Sequence, residues 1–155
     1  MSQRNPPVTW DERAVSCLIR ARQTLEDLAA ARSAGHQRSK MISQAQRVSE
    51  YALKAILYKR RIRVGKTHRL DQIAMDRKGT LIDLWSTLAP LLEAYSTLWT
   101  DRQMADYRHA DVPPMDDFPG VASPPLSDRQ VDRALRTAHG LRELAESVVL
   151  PGGGP

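Results

Sequence analysis

Two residues about two thirds of the way along the chain have side chains that can do phosphodiester chemistry together. Arg102 and His109 are seven positions apart, two turns of an α-helix, and so share one helix face. A guanidinium stabilises charge developing on a phosphate, and an imidazole moves protons near neutral pH. Placed together they would let an RNA 2′-hydroxyl attack the neighbouring phosphorus without a metal, with His109 as general base or acid. Asp106 is four residues after Arg102 and suits orienting its guanidinium, with Tyr107 and Arg108 between the pair. The same spacing equally describes an ordinary Arg102–Asp106 helix salt bridge with a solvated histidine before a loop, the commoner arrangement.

A second imidazole, His68, follows Thr67 at an expected helix start, where a hydrogen-bonding role fits better than catalysis. The run Lys59, Arg60, Arg61, Arg63, Lys66 and Arg69 offers flexible cations to a phosphate backbone, although such runs are usually solvated helix ends. Trp10, Trp85 and Trp99 could stack on bases, but their helical placement favours packing in the core or at a subunit interface. A Gly-rich phosphate loop, paired Cys or His metal spacing and a Ser nucleophile elbow are all missing from the sequence, so neither metal nor cofactor is expected.

The elements that must position these groups are helical. Of 155 residues, 26% are charged, 41% hydrophobic and 5% aromatic, with Leu and Ala supplying the apolar volume, which suits helix packing. The length fits one domain over residues 1–150, with 151–155 as a disordered Gly-rich tail. Thr9 and Glu12 form a capping-box pair, and Ala14, Leu18, Ala21, Leu25 and Leu28 then mark a first helix that Gly35 should end. A second helix is expected from about Gln37 to Arg60. Met41, Ala45, Val48, Ala52, Ala55 and Ile56 form its face, Leu53 and Leu57 widen it, and Gly65 breaks the pattern beyond it.

Thr67 should cap a short helix through Met75, and Gly79 and Thr80 should restart the chain. Leu81, Leu84, Leu88, Leu91, Tyr95 and Leu98 then define a third main helix, with Arg102 the next step of its stripe and Pro90 an expected kink. Pro113, Pro114, Pro119, Pro124 and Pro125 make 110–126 a long loop. Ser127 and Gln130 cap a last helix with the stripe Val131, Ala134, Ala138, Leu141, Ala145 and Val148. Four main helices and one short one result.

The formal charge of +5 is compatible with a polyanionic partner without requiring one. The lone Cys17 can form no internal disulfide and points to a reducing cytoplasm. No apolar run approaches the roughly 20 residues of a membrane span, and no secretory leader is expected at the N-terminus.

The segment Arg47-Val-Ser-Glu-Tyr-Ala-Leu-Lys-Ala-Ile-Leu57, followed by Lys66-Thr-His-Arg-Leu70, resembles the HEPN superfamily, in which a helix with a Glu and a Lys-Ala-Leu-Leu-like ending precedes a Thr-His-x-Leu turn. Arg102-Gln-Met-Ala-Asp-Tyr107 is similar to the end of the third helix in many members, and the likeness spans about residues 10–149. The resemblance implies an all-α, antiparallel up-and-down four-helix bundle. It also implies a homodimer in which two copies of an Arg-to-His motif face each other across a basic cleft and cut RNA without metal.

On that resemblance Arg102 and His109 are the catalytic pair, with six residues between them at the upper limit of the pattern. Asp106, Tyr107, Arg108, Glu50 and Lys54 are supporting residues, and Lys59, Arg60, Arg61, Arg63 and Lys66 hold RNA. A toxin or defence role with a nucleotidyltransferase-like antitoxin follows. Gln103 replaces the smaller polar residue often found after the Arg, and Tyr107 precedes rather than follows His109. A non-catalytic member that dimerises and binds a nucleotide or protein partner is therefore the alternative.

Overall fold

The computed structural model describes residues 8–33, 37–67, 69–109 and 126–150, with side chains for all of these except 33 and 102–109. Gly35, His68, the stretch 110–125 and the tail 151–155 lie outside the described residues. Five α-helices and one 3-10 segment account for most of what is described, and no strand occurs among the described residues.

Helix α1, Trp10–Ser33, begins where the sequence says it should. The Glu12 amide donates to Thr9 Oγ1 at 3.1 Å while Glu12 Oε1 accepts from the Thr9 amide at 3.4 Å, closing the capping box. Ala14, Leu18, Ala21 and Leu28 are buried, and Leu25 packs half-buried against them.

Helix α2, Arg38–Lys59, packs against α1, α4 and α5 and touches α3. That position explains its broad buried side: every residue expected on its face is buried, and so are Ile42, Gln46, Ser49 and Glu50. Fully buried alanines at 45, 52 and 55 of α2, 14 and 21 of α1, and 138 and 145 of α5 keep the contacting surfaces low and let helix axes approach.

Helix α2 ends close to the expected Arg60, and Gly65 beyond it has a positive φ of 65°, but the first left-handed residue is Arg61. Arg61 takes a left-handed conformation, φ 60°, and its amide donates to the Tyr58 carbonyl at 3.0 Å. The Ile62 amide reaches back to the Leu57 carbonyl at 2.9 Å, so the helix closes in a Schellman motif with arginine where glycine is usual. Ile62 and Val64 are then buried while Arg61 and Arg63 are exposed. Beyond Arg60 the basic run is thus an alternating, core-anchored strap.

Thr67 does not cap the next helix. Its Oγ1 accepts from the Arg69 amide at 3.0 Å in a local turn, and α3, Leu70–Asp76, starts after Arg69 without a side-chain cap. The chain does not restart directly as an α-helix at Gly79 either: Lys78–Leu84 winds as a 3-10 segment, and α4 runs from Trp85 to His109. That segment has three residues per turn, but the stripe keeps its phase beyond it. Leu81, Leu88, Tyr95 and Leu98 are buried as expected, but Leu92 replaces Leu91, and Leu84 and Leu91 sit half-buried at the edge. The helix continues through Pro90, because Pro90 and Ser86 are exposed and the missing bond falls on the solvent side.

Helix α5, Asp128–Val149, starts at a complete capping box in which the Ser127 amide donates to Gln130 Oε1 at 2.8 Å. Its whole expected stripe is buried. At Gly140 a Cβ would lie 2.8 Å from Leu91 Cδ2, which marks how closely α4 and α5 approach. No helix among the described residues is long and apolar enough to cross a membrane.

Candidate functional site

The α4 backbone is helical without interruption from Trp85 to His109. Arg102 and His109 therefore occupy one helix face, separated by two turns or about 10 Å along the axis. Their side chains, and those of Asp106, Tyr107 and Arg108, lie outside the described residues, as does His68 entirely.

The ground beneath that face is described. Tyr95, two turns before Arg102 on the same line, is fully buried and faces α2, where Gln46 Nε2 lies 3.4 Å from its hydroxyl. The same amide nitrogen donates to Glu50 Oε1 at 3.1 Å. Gln46 and Glu50 are themselves buried, so a polar chain of Glu50, Gln46 and Tyr95 crosses the seam between α2 and α4. Buried polar groups that satisfy each other fix register, because any slip leaves them unpaired. Glu50, expected as a supporting residue, belongs to this seam. Lys54 stands apart from it: its ammonium lies 6.0 Å from the Tyr51 ring centre, a ring that Arg20 of α1 also covers at 5.9 Å.

Asp101, immediately before Arg102, is buried and bound twice by α5. It accepts from Arg133 Nη2 at 3.0 Å and from Gln130 Nε2 at 3.2 Å. Gln130 thereby serves both the α5 cap and the far end of α4. Only the cap was legible in the sequence, since nothing local ties Asp101 to residues some thirty positions away.

Arg69 also reaches α4. Its guanidinium lies 6.0 Å from the ring centre of Trp99, one turn before Arg102. Arg69 Nε and Nη2 donate to the two Asp71 oxygens at 3.2 and 3.1 Å. The bond to Asp71 raises the pKa of the already strong base, partial burial opposes this, and the nearby Tyr95 adds a smaller favourable effect. Trp10 and Trp85 are likewise half-buried, Trp10 tilted against Tyr58 and Trp85 under the Lys78 ammonium at 5.2 Å.

The remaining cations of the run divide. Lys59 pairs with Asp11 of α1 at 3.1 Å, and Arg60 grips Asp83 with two bonds of 2.7 and 2.8 Å. Arg61, Arg63 and Lys66 are exposed and have no carboxylate partner among the described residues. Cys17 is half-buried, and burial raises its thiol pKa against the opposing pull of Lys54 and Arg20. No group of three or more potential metal ligands occurs among the described residues.

A family model for the HEPN domain matches residues 13–148. No curated protein and no solved structure matches the chain.

Proposed function

Because the chain belongs to the HEPN domain family, we propose that it is a metal-independent endoribonuclease acting through Arg102 and His109. The observation that carries this reading is the unbroken helix through both residues, which puts a guanidinium and an imidazole position on one face. In the proposed reaction His109 accepts the proton of an RNA 2′-hydroxyl as its oxygen attacks the adjacent phosphorus. The 5′-oxygen leaves with a proton returned by the protonated His109, and the products are a 2′,3′-cyclic phosphate and a 5′-hydroxyl. Arg102 stabilises the charge on the phosphoryl oxygens. Asp106, Tyr107 and Arg108 support the pair, Glu50 keeps α4 in register through Gln46, and Arg61, Arg63 and Lys66 hold the backbone of the strand. Lys59 and Arg60 border that strap, and Lys54 completes the supporting set.

The proposed architecture is a single domain over residues 1–150, an antiparallel up-and-down four-helix bundle with α3 as the short extra helix and 151–155 as a tail. Ion pairs support it: Lys59 near the end of α2 meets Asp11 near the start of α1, and Asp101 late in α4 meets Arg133 early in α5. Two copies would pair so that their Arg-to-His faces meet across a basic cleft. We place the protein in the cytoplasm as a toxin or defence component restrained by a nucleotidyltransferase-like antitoxin.

The family includes ribonucleases and non-catalytic members, so the test must separate them. Purified protein is incubated with labelled single-stranded RNA in EDTA, beside folded His109→Ala and Arg102→Ala. Wild-type cleavage to 2′,3′-cyclic ends, falling at least about 100-fold in each variant, is expected. A folded, dimeric wild type that cuts no RNA would instead mark a non-catalytic module that binds a nucleotide or protein partner.

A further inference from the structure

We propose that Arg69 is a phosphate-contacting residue of the same site, held ready by Asp71, Thr67 and Trp99 to grip the nucleic-acid backbone next to Arg102. The inference rests on the reading above for its substrate class and on separate geometry for the residue.

Three constraints fix this side chain. The Thr67 hydroxyl accepts from the Arg69 amide at 3.0 Å and sets the backbone. Asp71 receives two parallel N–H bonds from Nε and Nη2, which fixes the plane of the guanidinium. Trp99 lies beneath the guanidinium carbon at 6.0 Å, within the range of a cation–π contact. Arginine has five N–H donors, and Asp71 uses two of them. Both hydrogens on Nη1 and one on Nη2 remain for another acceptor. The Asp71 side chain keeps 11% of its exposure and that of Arg69 keeps 37%, so the carboxylate sits behind and the guanidinium in front.

Trp99 and Arg102 are three residues apart on one continuous helix, so their Cβ atoms are about 5–6 Å apart. The Arg69 head thus contacts a side chain of the helix that carries Arg102 three residues further on. Lys66 and Arg63, three and six residues before Arg69 in the chain, are exposed cations as well. A strand running over α4 onto the 61–66 strap would pass Arg69 first. Its preorganised fork loses little freedom on binding, unlike a free lysine.

The test reads binding apart from cleavage. Fluorescence anisotropy follows a short 2′-O-methyl-uridine oligonucleotide, which lacks the nucleophile, across a series of salt concentrations. The variants are Arg69→Gln, the double variant Arg69→Gln/Asp71→Asn, and Arg22→Gln, whose arginine pairs with Glu146 between α1 and α5. The double variant preserves net charge and leaves no buried carboxylate unpaired, so neither overall charge nor misfolding can account for its result.

Both Arg69 variants are expected to flatten the plot of log affinity against log salt by about 0.7, one single-strand phosphate contact, and to bind several-fold more weakly at low salt. Arg22→Gln should keep the wild-type slope. A folded double variant with wild-type slope and affinity overturns the inference, as does a folded wild type that binds no oligonucleotide. Cleavage of unmodified RNA is scored separately. Failure there with the slope change present removes the nuclease reading alone, and cleavage with an unchanged slope removes Arg69 alone.

Discussion

Two neighbouring pieces of the basic run, Lys59–Arg60 and Arg61–Lys66, look alike in sequence and do different work in the structure. The first pair ends α2 and spends its charge inside the protein. Lys59 ties α2 to Asp11 of α1, and Arg60 ties it to Asp83 of the 3-10 segment. The second piece leaves the helix through a left-handed Arg61 and turns alternate residues in opposite directions, with Ile62 and Val64 in the core and Arg61 and Arg63 in solvent. A row of cations is therefore not one feature. Where carboxylates lie within reach the charge holds helices together, and where apolar residues interleave the charge is presented outward on a fixed backbone.

The sharpest way to break this contrast is Ile62→Ala. Removing a residue that is 3% exposed should cost about 2–4 kcal/mol in urea unfolding and weaken oligonucleotide binding although no charge is lost. Unchanged stability would mean that the strap is not anchored by the core. Next in size is Arg61→Gly. Glycine enters the left-handed region without the Cβ penalty, so unfolding free energy should rise by about 1 kcal/mol while the salt slope of binding falls. A loss of stability would show that the Arg61 side chain contributes more than its backbone conformation costs.

The smallest effect belongs to the paired half. The bonds from Arg60 hold the Asp83 carboxyl below its ordinary range, so this pair stabilises the fold above that range and the contribution is lost as pH falls and Asp83 protonates. Asp128 is depressed in the same way by Arg38. Burial pushes Glu146 up, but the bonds from Arg22 and Arg142 outweigh it and hold it low. Wild-type Tm should therefore drop as pH is lowered from about 4. Arg60→Gln should start from a slightly lower Tm and show a shallower drop, and an identical pH profile for the two proteins would show that Arg60 gives Asp83 nothing.

Much of the helical frame was legible because it rests on local rules. The capping boxes at Thr9 and Ser127 and the buried stripes of α1, α2 and α5 depend on neighbours three or four residues away, and a sequence displays those directly. The stripe of α4 keeps its expected phase at Leu88, Tyr95 and Leu98, and only packing decides that Leu92 is buried while Leu91 lies half-buried at the edge near Gly140. The Arg102–His109 spacing was visible for the same local reason.

What surrounds that spacing was not visible. Asp101 reaching Gln130 and Arg133, Gln46 reaching Tyr95 and Arg69 lying over Trp99 join residues about thirty to fifty positions apart. By itself the sequence determined the helices and the residue types able to act on a phosphodiester, because hydrogen bonding along a helix and apolar periodicity are local. Only the tertiary structure decided which cations are tied to carboxylates and which face outward, because partners distant along the chain become neighbours only when helix faces pack.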